Sequence, residues 1–122
     1  MTISNEQRDY ERLLRMIQSA EEVLMFTEDV SHEAFLQNRL LQLGTAKLIE
    51  QIAESARAMQ KAFRDRYDAY PWGEMIGMRT VLVHEYWKID PDKVYEAAQN
   101  EVPELLDYLH EIKAEMQKRG YS

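Results

Sequence analysis

The sequence predicts an all-α protein, an up-down bundle of four main helices formed by a single domain over residues 1–122. Apolar residues recur at steps of three and four along most of the chain, which is the spacing of one buried helix face. Glycine and proline are scarce, with 4 and 3 copies, while 45% of the residues are hydrophobic. The sequence has no β-like alternation of polar and apolar residues and no internal repeat. These observations favour helices throughout.

Capping residues and apolar stripes delimit the first two predicted helices. Ser4 is the expected N-cap of a helix over about residues 5–27, and Ser31 that of a second helix that could continue to about residue 66. Gly44 lies inside the second helix, where glycine costs about 1 kcal/mol relative to alanine. We therefore expect another helix to approach closely at Gly44. The stripe of the first helix consists of Tyr10, Leu13, Leu14, Ile17, Ala20 and Leu24.

The second half of the chain predicts two further helices. One should extend from about Pro71 to Trp87, since a proline favours a helix start at its own position. The pair Asp90-Pro91 then supplies an N-cap and a first helical residue for the last helix. Pro103 is expected to kink this last helix, and Gly120 to end it.

Composition restricts the possible functions. The net charge of -7 and pI of about 5.0 count against a protein that coats nucleic acid, although a nuclease with a small basic site remains possible. The chain has 0 cysteines, so it can form neither disulfides nor thiolate metal sites. No secretory pattern and no membrane-length apolar run is present, so we expect a cytoplasmic protein. Arg57, Lys61, Arg64 and Arg66 are interpreted as a solvated helix face.

Arg79 and His84 are the candidate catalytic residues. An arginine presents a charged planar fork that matches a phosphate, and a histidine can move protons near neutral pH. The pair could bind a scissile phosphate and transfer a proton with no metal and no cofactor. Residues five apart lie about 140° apart around a helix, so Arg79 and His84 do not share a face of one regular helix. Either the helix ends near His84, or a second chain completes the site.

A homodimer is expected for two reasons. The poor same-face geometry of Arg79 and His84 would be relieved by a second chain. The aromatic residues Trp72, Tyr86 and Trp87 would be difficult to bury in a small monomer.

The other two histidines are weaker candidates. His32 follows the predicted N-cap Ser31 and should be exposed to solvent. His110 follows Asp107 by three residues, a spacing found in metal-binding helical bundles, but such sites usually need two such motifs and several further carboxylates. We therefore predict no metal site.

The segment Arg79-Thr80-Val81-Leu82-Val83-His84-Glu85-Tyr86 and its flanks resemble a known family. Arginine, four residues, histidine, one residue and tyrosine form the motif of the HepT-like toxins of the HEPN superfamily. The preceding Pro71-Trp72 and Ile76-Gly77-Met78 are similar to the family's lead-in, and Val102-Pro103-Glu104-Leu105 to its last helix. The family usually has asparagine directly after the arginine, where this chain has Thr80. Thr80 is therefore the candidate residue for aligning RNA.

The resemblance implies a ribonuclease toxin of a type VII-like, two-gene toxin–antitoxin module. Such a toxin acts as a homodimer whose cleft at the two-fold axis cleaves RNA without a metal. Arg79 would bind the phosphate and His84 would transfer protons, with the 2′-hydroxyl as nucleophile. The products would be a 2′,3′-cyclic phosphate and a 5′-hydroxyl. The antitoxin of such a module is a minimal nucleotidyltransferase, which would add AMP units to Tyr86.

Two alternatives are retained. Related helical domains pair with nucleotidyltransferases as non-catalytic substrate-binding subunits, and the acidic charge and Thr80 favour this interpretation. The other alternative is a purely structural dimeric bundle, in which changes of Arg79 or His84 would have no effect.

Overall fold

The computed structural model describes residues 3–85 and 88–122, and of residues 80–85 it describes the backbone alone. Within these residues the elements in chain order are α1 (Asn5–Thr27), α2 (His32–Leu36), α3 (Arg39–Ala58), α4 (Lys61–Arg66), α5 (Trp72–Leu82), β1 (Val83–Glu85), β2 (Lys88–Ile89), α6 (Pro91–Glu96), a π-helical turn (Ala97–Glu101) and α7 (Val102–Lys118). The four longer helices are α1, α3, α5 and α7. The predicted all-α bundle is confirmed.

The first helix has the predicted bounds because its cap and its apolar stripe agree. The Ser4 hydroxyl accepts a hydrogen bond from the Gln7 backbone N–H at 3.0 Å, which satisfies one of the unpaired donors of the first turn. Tyr10, Leu13 and Ala20 of the predicted stripe are buried. The core forms where α1 packs between α3 and α7, while α3 also packs against α5.

The prediction of one continuous second helix to about residue 66 is wrong, because the chain breaks twice. Ser31 caps the short α2 as predicted, but Asn38 then adopts an extended conformation and caps α3 by accepting from the Leu41 N–H at 3.0 Å. The second break follows Ala58, where Met59 has ψ of 141°. The buried carboxylate of Asp9 accepts from the Gln60 N–H at 3.3 Å at this break. Side-chain hydrogen bonds therefore compete successfully with helix propensity here.

The predicted close approach at Gly44 is also absent from the described part of the chain. Gly44 is exposed, and no atom lies within 4 Å of the position that a Cβ would occupy. Nothing packed against it among the described residues therefore requires a glycine.

The third helix ends earlier than predicted. Helix α5 ends at Leu82, and Val83–Glu85 pairs antiparallel with Lys88–Ile89, with Val83 opposite Ile89. Because Thr80, Val81 and Val83 are β-branched, this segment has a low helix propensity and fits a strand better. The expectation of a helix as far as Trp87 is thus wrong for the described residues, although Tyr86 and Trp87 themselves lie outside them.

The irregularity expected at Pro103 lies just before it. The Val102 N–H bonds to the Ala97 carbonyl five residues back, which defines the π-helical turn. Pro103 has no N–H, so the Gln99 carbonyl lacks its usual helical donor. The π-helical turn widens the helix at this point, and the helix continues beyond the missing hydrogen bond. At the other end Gly120 has φ of 100°, and the bonds Gly120 N–H to Gln117 and Tyr121 N–H to Met116 complete the predicted stop.

The helices of the described residues are not suited to crossing a bilayer, since none combines the required length with sufficient apolar character.

Candidate active site

Arg79 lies in the last turn of α5, where it is presented at the surface. The buried side chains of Trp72, Met75 and Met78 hold α5 against the core. The Trp72 indole N–H donates to the Tyr67 carbonyl at 2.9 Å, which fixes the start of the helix. Trp72 is only 6% exposed, so it is buried without a second chain, contrary to the expectation that it needed one. The Arg79 side chain is 48% exposed, as a residue that meets a substrate must be.

Glu54 of α3 is the residue that holds the Arg79 guanidinium. Its Oε1 lies 2.9 Å from Arg79 Nη1, and its side chain is 43% exposed. A guanidinium has five N–H donors, so one contact to a carboxylate leaves others for a phosphate. The contact therefore orients the guanidinium while the charge remains accessible.

Glu54 was not identified from the sequence. Twenty-five positions separate it from Arg79, and only the packing of α3 against α5 brings the two side chains together. Its helical position next to the buried Ala53 and Ala56 indicates an edge of the core, which is a common place for structural carboxylates. No pattern in the sequence distinguished it from the other acidic residues.

His84 lies two residues beyond the end of α5, in β1. Of the two ways to reconcile the spacing of Arg79 and His84, the structure therefore contains the first: the helix ends before the histidine. The pairing of Glu85 with Lys88 follows immediately. The side chains of Thr80 and His84, and the whole of Tyr86, lie outside the described residues, so their proposed roles are retained as predictions.

A groove on the other side of α5 is acidic. It encloses about 430 Å³ between α5 and α7, with Met75, Met78 and Leu105 among its lining residues. Carboxylates of Glu74, Glu101 and Glu104 line it as well. The Tyr108 hydroxyl donates to Glu104 Oε1 at 3.2 Å, and this hydrogen bond, followed by the negative charge of Glu104, raises the pKa of Tyr108. Because like charges repel, this groove disfavours a polyanion, and RNA should approach α5 from the side of Arg79.

The other two histidines, His32 and His110, lie on α2 and α7. His32 is 53% exposed, as predicted, with Nε2 2.7 Å from Asp92 Oδ1 and its ring stacked on Tyr95 at 4.8 Å between centroids. His110 is exposed on α7. Among the described residues, no three side chains of His, Cys, Asp or Glu come together as a metal ion would need.

Comparison of the sequence with known families gives the class of protein, a ribonuclease family. The model of the family described as ribonuclease HepT-like matches residues 16–112, a range that includes Arg79, His84 and Tyr86. The chain belongs to the ribonuclease HepT-like family of the HEPN superfamily, and the resemblance recognised in the sequence is confirmed.

Individual relatives agree with this assignment. The chain is 30% identical over 93 residues, 76% of its length and 85% of the relative's, to "Putative RNase MJ1380" of Methanocaldococcus jannaschii. It is 30% identical over 100 residues, covering 82% and 89% of the two chains, to "Putative RNase TTE0752" of Caldanaerobacter subterraneus subsp. tengcongensis. It is 28% identical over 99 residues, covering 80% and 87%, to "Probable ribonuclease HepT" of Thermococcus cleftensis. No solved structure gives a significant match. The family and these names support endoribonuclease activity.

Proposed function

We propose that this protein is a metal-independent endoribonuclease in which Arg79 binds the scissile phosphate and His84 transfers protons. The observation that carries the proposal is the Arg79 guanidinium, half exposed at the end of α5 and oriented by Glu54 at 2.9 Å. A preoriented cation at the position where charge develops lowers the barrier to phosphoryl transfer, because it needs no reorganisation during the reaction. The family match covers the whole motif.

The proposed reaction is a transesterification within RNA. The 2′-oxygen forms a bond to phosphorus as the bond from phosphorus to the 5′-oxygen breaks. The 2′-hydroxyl gives up a proton, the leaving 5′-oxygen gains one, and His84 serves this transfer. The products are a 2′,3′-cyclic phosphate and a 5′-hydroxyl. Thr80, which follows Arg79, contributes a hydroxyl that can align the RNA backbone.

We further propose that the enzyme is the toxin of a type VII-like toxin–antitoxin module and acts in the cytoplasm as a homodimer. Its antitoxin would be a minimal nucleotidyltransferase that adds AMP to Tyr86. An added phosphate near Arg79 would pair with the guanidinium and repel RNA phosphates. Inhibition would then be electrostatic and steric, with the fold unchanged.

Purified wild-type protein, Arg79→Ala and His84→Ala test the catalytic assignment on a fluorescent RNA. Each substitution should lower the cleavage rate by about 10²–10³-fold, which is typical for loss of one electrostatic donor. The matched control is Lys118→Ala, since Lys118 is an exposed cation on α7 and far along the chain from the motif. Cleavage that persists in EDTA, with cyclic phosphate ends found by mass spectrometry, supports the proposal. Wild-type rates in either motif variant would overturn it.

The second candidate function is a non-catalytic subunit that supports a nucleotidyltransferase. The observations that favour it are the partial neutralisation of Arg79 by Glu54 and the acidic groove beside α5. Expression in a host cell separates the two functions. A toxin should arrest growth when produced alone and should lose this effect as His84→Ala, whereas a supporting subunit should leave growth unchanged in both forms.

A further inference from the structure

We infer that the outward face of α3 is the surface on which a second copy of this chain docks. This inference rests on the proposed homodimer and assigns it a surface. The outward face is defined here by the residues at helical spacing on the solvent side of α3, which are Leu40, Leu43, Lys47, Gln51, Glu54 and Ala58. At its edges Gln51 Oε1 accepts from the Ser19 hydroxyl of α1 at 3.4 Å, and Glu54 contacts Arg79 of α5.

One half of this face is apolar although it is in contact with water. Leu40 is 82% exposed and Leu43 is 45% exposed. Gly44, between them and Lys47, is exposed as well, with open space where its Cβ would be. A second helix against this face would bury Leu43 and would also explain a glycine that nothing within the described residues explains.

The outward face is complementary to itself. The spacing of its residues is the same in both directions along the helix. Four positions separate Leu43 from Lys47, seven separate Lys47 from Glu54, and four separate Glu54 from Ala58. An antiparallel second α3, centred between residues 50 and 51, places Lys47 opposite Glu54 and Leu43 opposite Ala58. Lys47 of each copy then faces Glu54 of the other, and Leu43 of each copy faces Ala58 of the other. Each pair occurs twice, as a two-fold symmetric interface requires.

Charge also favours a second copy over a nucleic acid at this surface. The chain carries a net charge of -7, so two copies repel each other over most of their surfaces. On the outward face the charges of Lys47 and Glu54 cancel, and the apolar half has no carboxylate. Net charge therefore does not oppose self-association at this face, while RNA gains no net attraction from it.

The interface would act on the candidate active site. Glu54 is the partner of Arg79 within one chain. Lys47 of the second copy would supply Glu54 with another cation, so that the Arg79 guanidinium would be less neutralised and more available to a phosphate. Each site would thus be completed by a residue of the other copy.

A single introduced cysteine tests the surface directly, because the chain has 0 cysteines of its own. Gln51 lies next to the inferred two-fold axis, so Gln51→Cys should form a disulfide-linked dimer on mild oxidation. The matched control is Met25→Cys, since Met25 is 63% exposed on α1, and it should stay uncrosslinked at the same concentration. If Gln51→Cys remains uncrosslinked although the wild type has a dimer mass in light scattering, the surface is wrong and the homodimer stands. A monomeric wild type overturns both.

A charge exchange provides an independent measurement. Lys47→Glu and Glu54→Lys should each raise the dimer dissociation constant at least tenfold in sedimentation equilibrium, and the double variant should restore it. Lys118→Glu, on α7, is the control for the change in net charge and should leave the constant unchanged. Single variants that dimerise like the wild type, or a double variant as weak as the singles, would overturn the inference. The inference would also be overturned if the variants dimerise like the wild type but no longer bind a co-expressed nucleotidyltransferase. The outward face would then be the binding surface for that partner.

Discussion

Glu54 and Arg79 join two helices at the candidate active site: Glu54 Oε1 of α3 lies 2.9 Å from Arg79 Nη1 of α5. The two side chains are 43% and 48% exposed, so solvent screens the pair and its contribution to folding is at most about 1 kcal/mol. Its main effect is on the direction of the guanidinium. The same carboxylate belongs to the outward face of α3, which relates the orientation of Arg79 to the inferred dimer surface.

Glu54→Ala is expected to lower kcat for RNA cleavage roughly tenfold, or about 1.4 kcal/mol, because a freely rotating guanidinium is misplaced for part of the time. Glu54→Gln keeps an oxygen that accepts from Arg79 and should retain most of kcat. The melting temperature should change little in both, as expected for an exposed pair. The assay is run at protein concentrations at which further dilution leaves the molecular mass in solution unchanged. Dissociation of a dimer then does not contribute to the change in kcat. Equal losses of kcat in the two variants would argue against a positioning role.

Tyr86→Phe should remove the proposed modification by the antitoxin. With the wild type, co-expression with a nucleotidyltransferase of the proposed antitoxin class should add the mass of one or more AMP units, because the proposed acceptor is the phenol oxygen. The phenylalanine variant should show no added mass and should stay toxic despite the antitoxin. Intact-mass spectrometry measures the first effect and growth measures the second. An unchanged wild-type mass, or a label mapped to another residue, would leave binding alone as the means of neutralisation.

Gly44→Ala should stabilise the folded chain by about 1 kcal/mol, since alanine is the better helix former and its Cβ would meet no atom of the described residues within 4 Å. The matched control is Gly120→Ala, where φ of 100° strains an alanine and should destabilise by a similar amount. Thermal unfolding followed by circular dichroism measures both, at the lowest protein concentration that gives a signal. A loss of stability in Gly44→Ala under these conditions would mean that a close contact exists within the chain.

Glu6 should make stability depend on pH. The hydrogen bond from Tyr121 and the nearby Arg119 lower the pKa of Glu6 below its ordinary value of 4.5. A carboxylate with a lowered folded-state pKa contributes its stabilisation above the ordinary value, and this stabilisation disappears as pH falls through the folded-state pKa. The difference in unfolding free energy between wild type and Glu6→Gln should therefore shrink from about pH 6 to about pH 3. Denaturant titrations at several pH values measure it, and a constant difference would contradict the assignment.

The sequence by itself determined the helical class, the first helix and several of the later helix boundaries. Ser4, Ser31 and Asp90 cap helices where the sequence placed them, and Gly120 ends the last one. Caps and apolar periodicity are local properties, so neighbouring residues are sufficient to specify them. The sequence also led to the family through the residues around Arg79, since a motif is itself a local pattern.

Tertiary structure decided what depends on residues that are distant in the chain. The break after Ala58 involves the buried carboxylate of Asp9, and the orientation of Arg79 depends on Glu54. The end of α5 at Leu82 is a more local case, since Val83–Glu85 pairs with Lys88–Ile89 only a few residues further along the chain. In each case the stabilising partner is supplied by packing or strand pairing, and helix periodicity does not encode it. The open space at Gly44 has the same origin, because only the folded chain shows which helix faces have no neighbour.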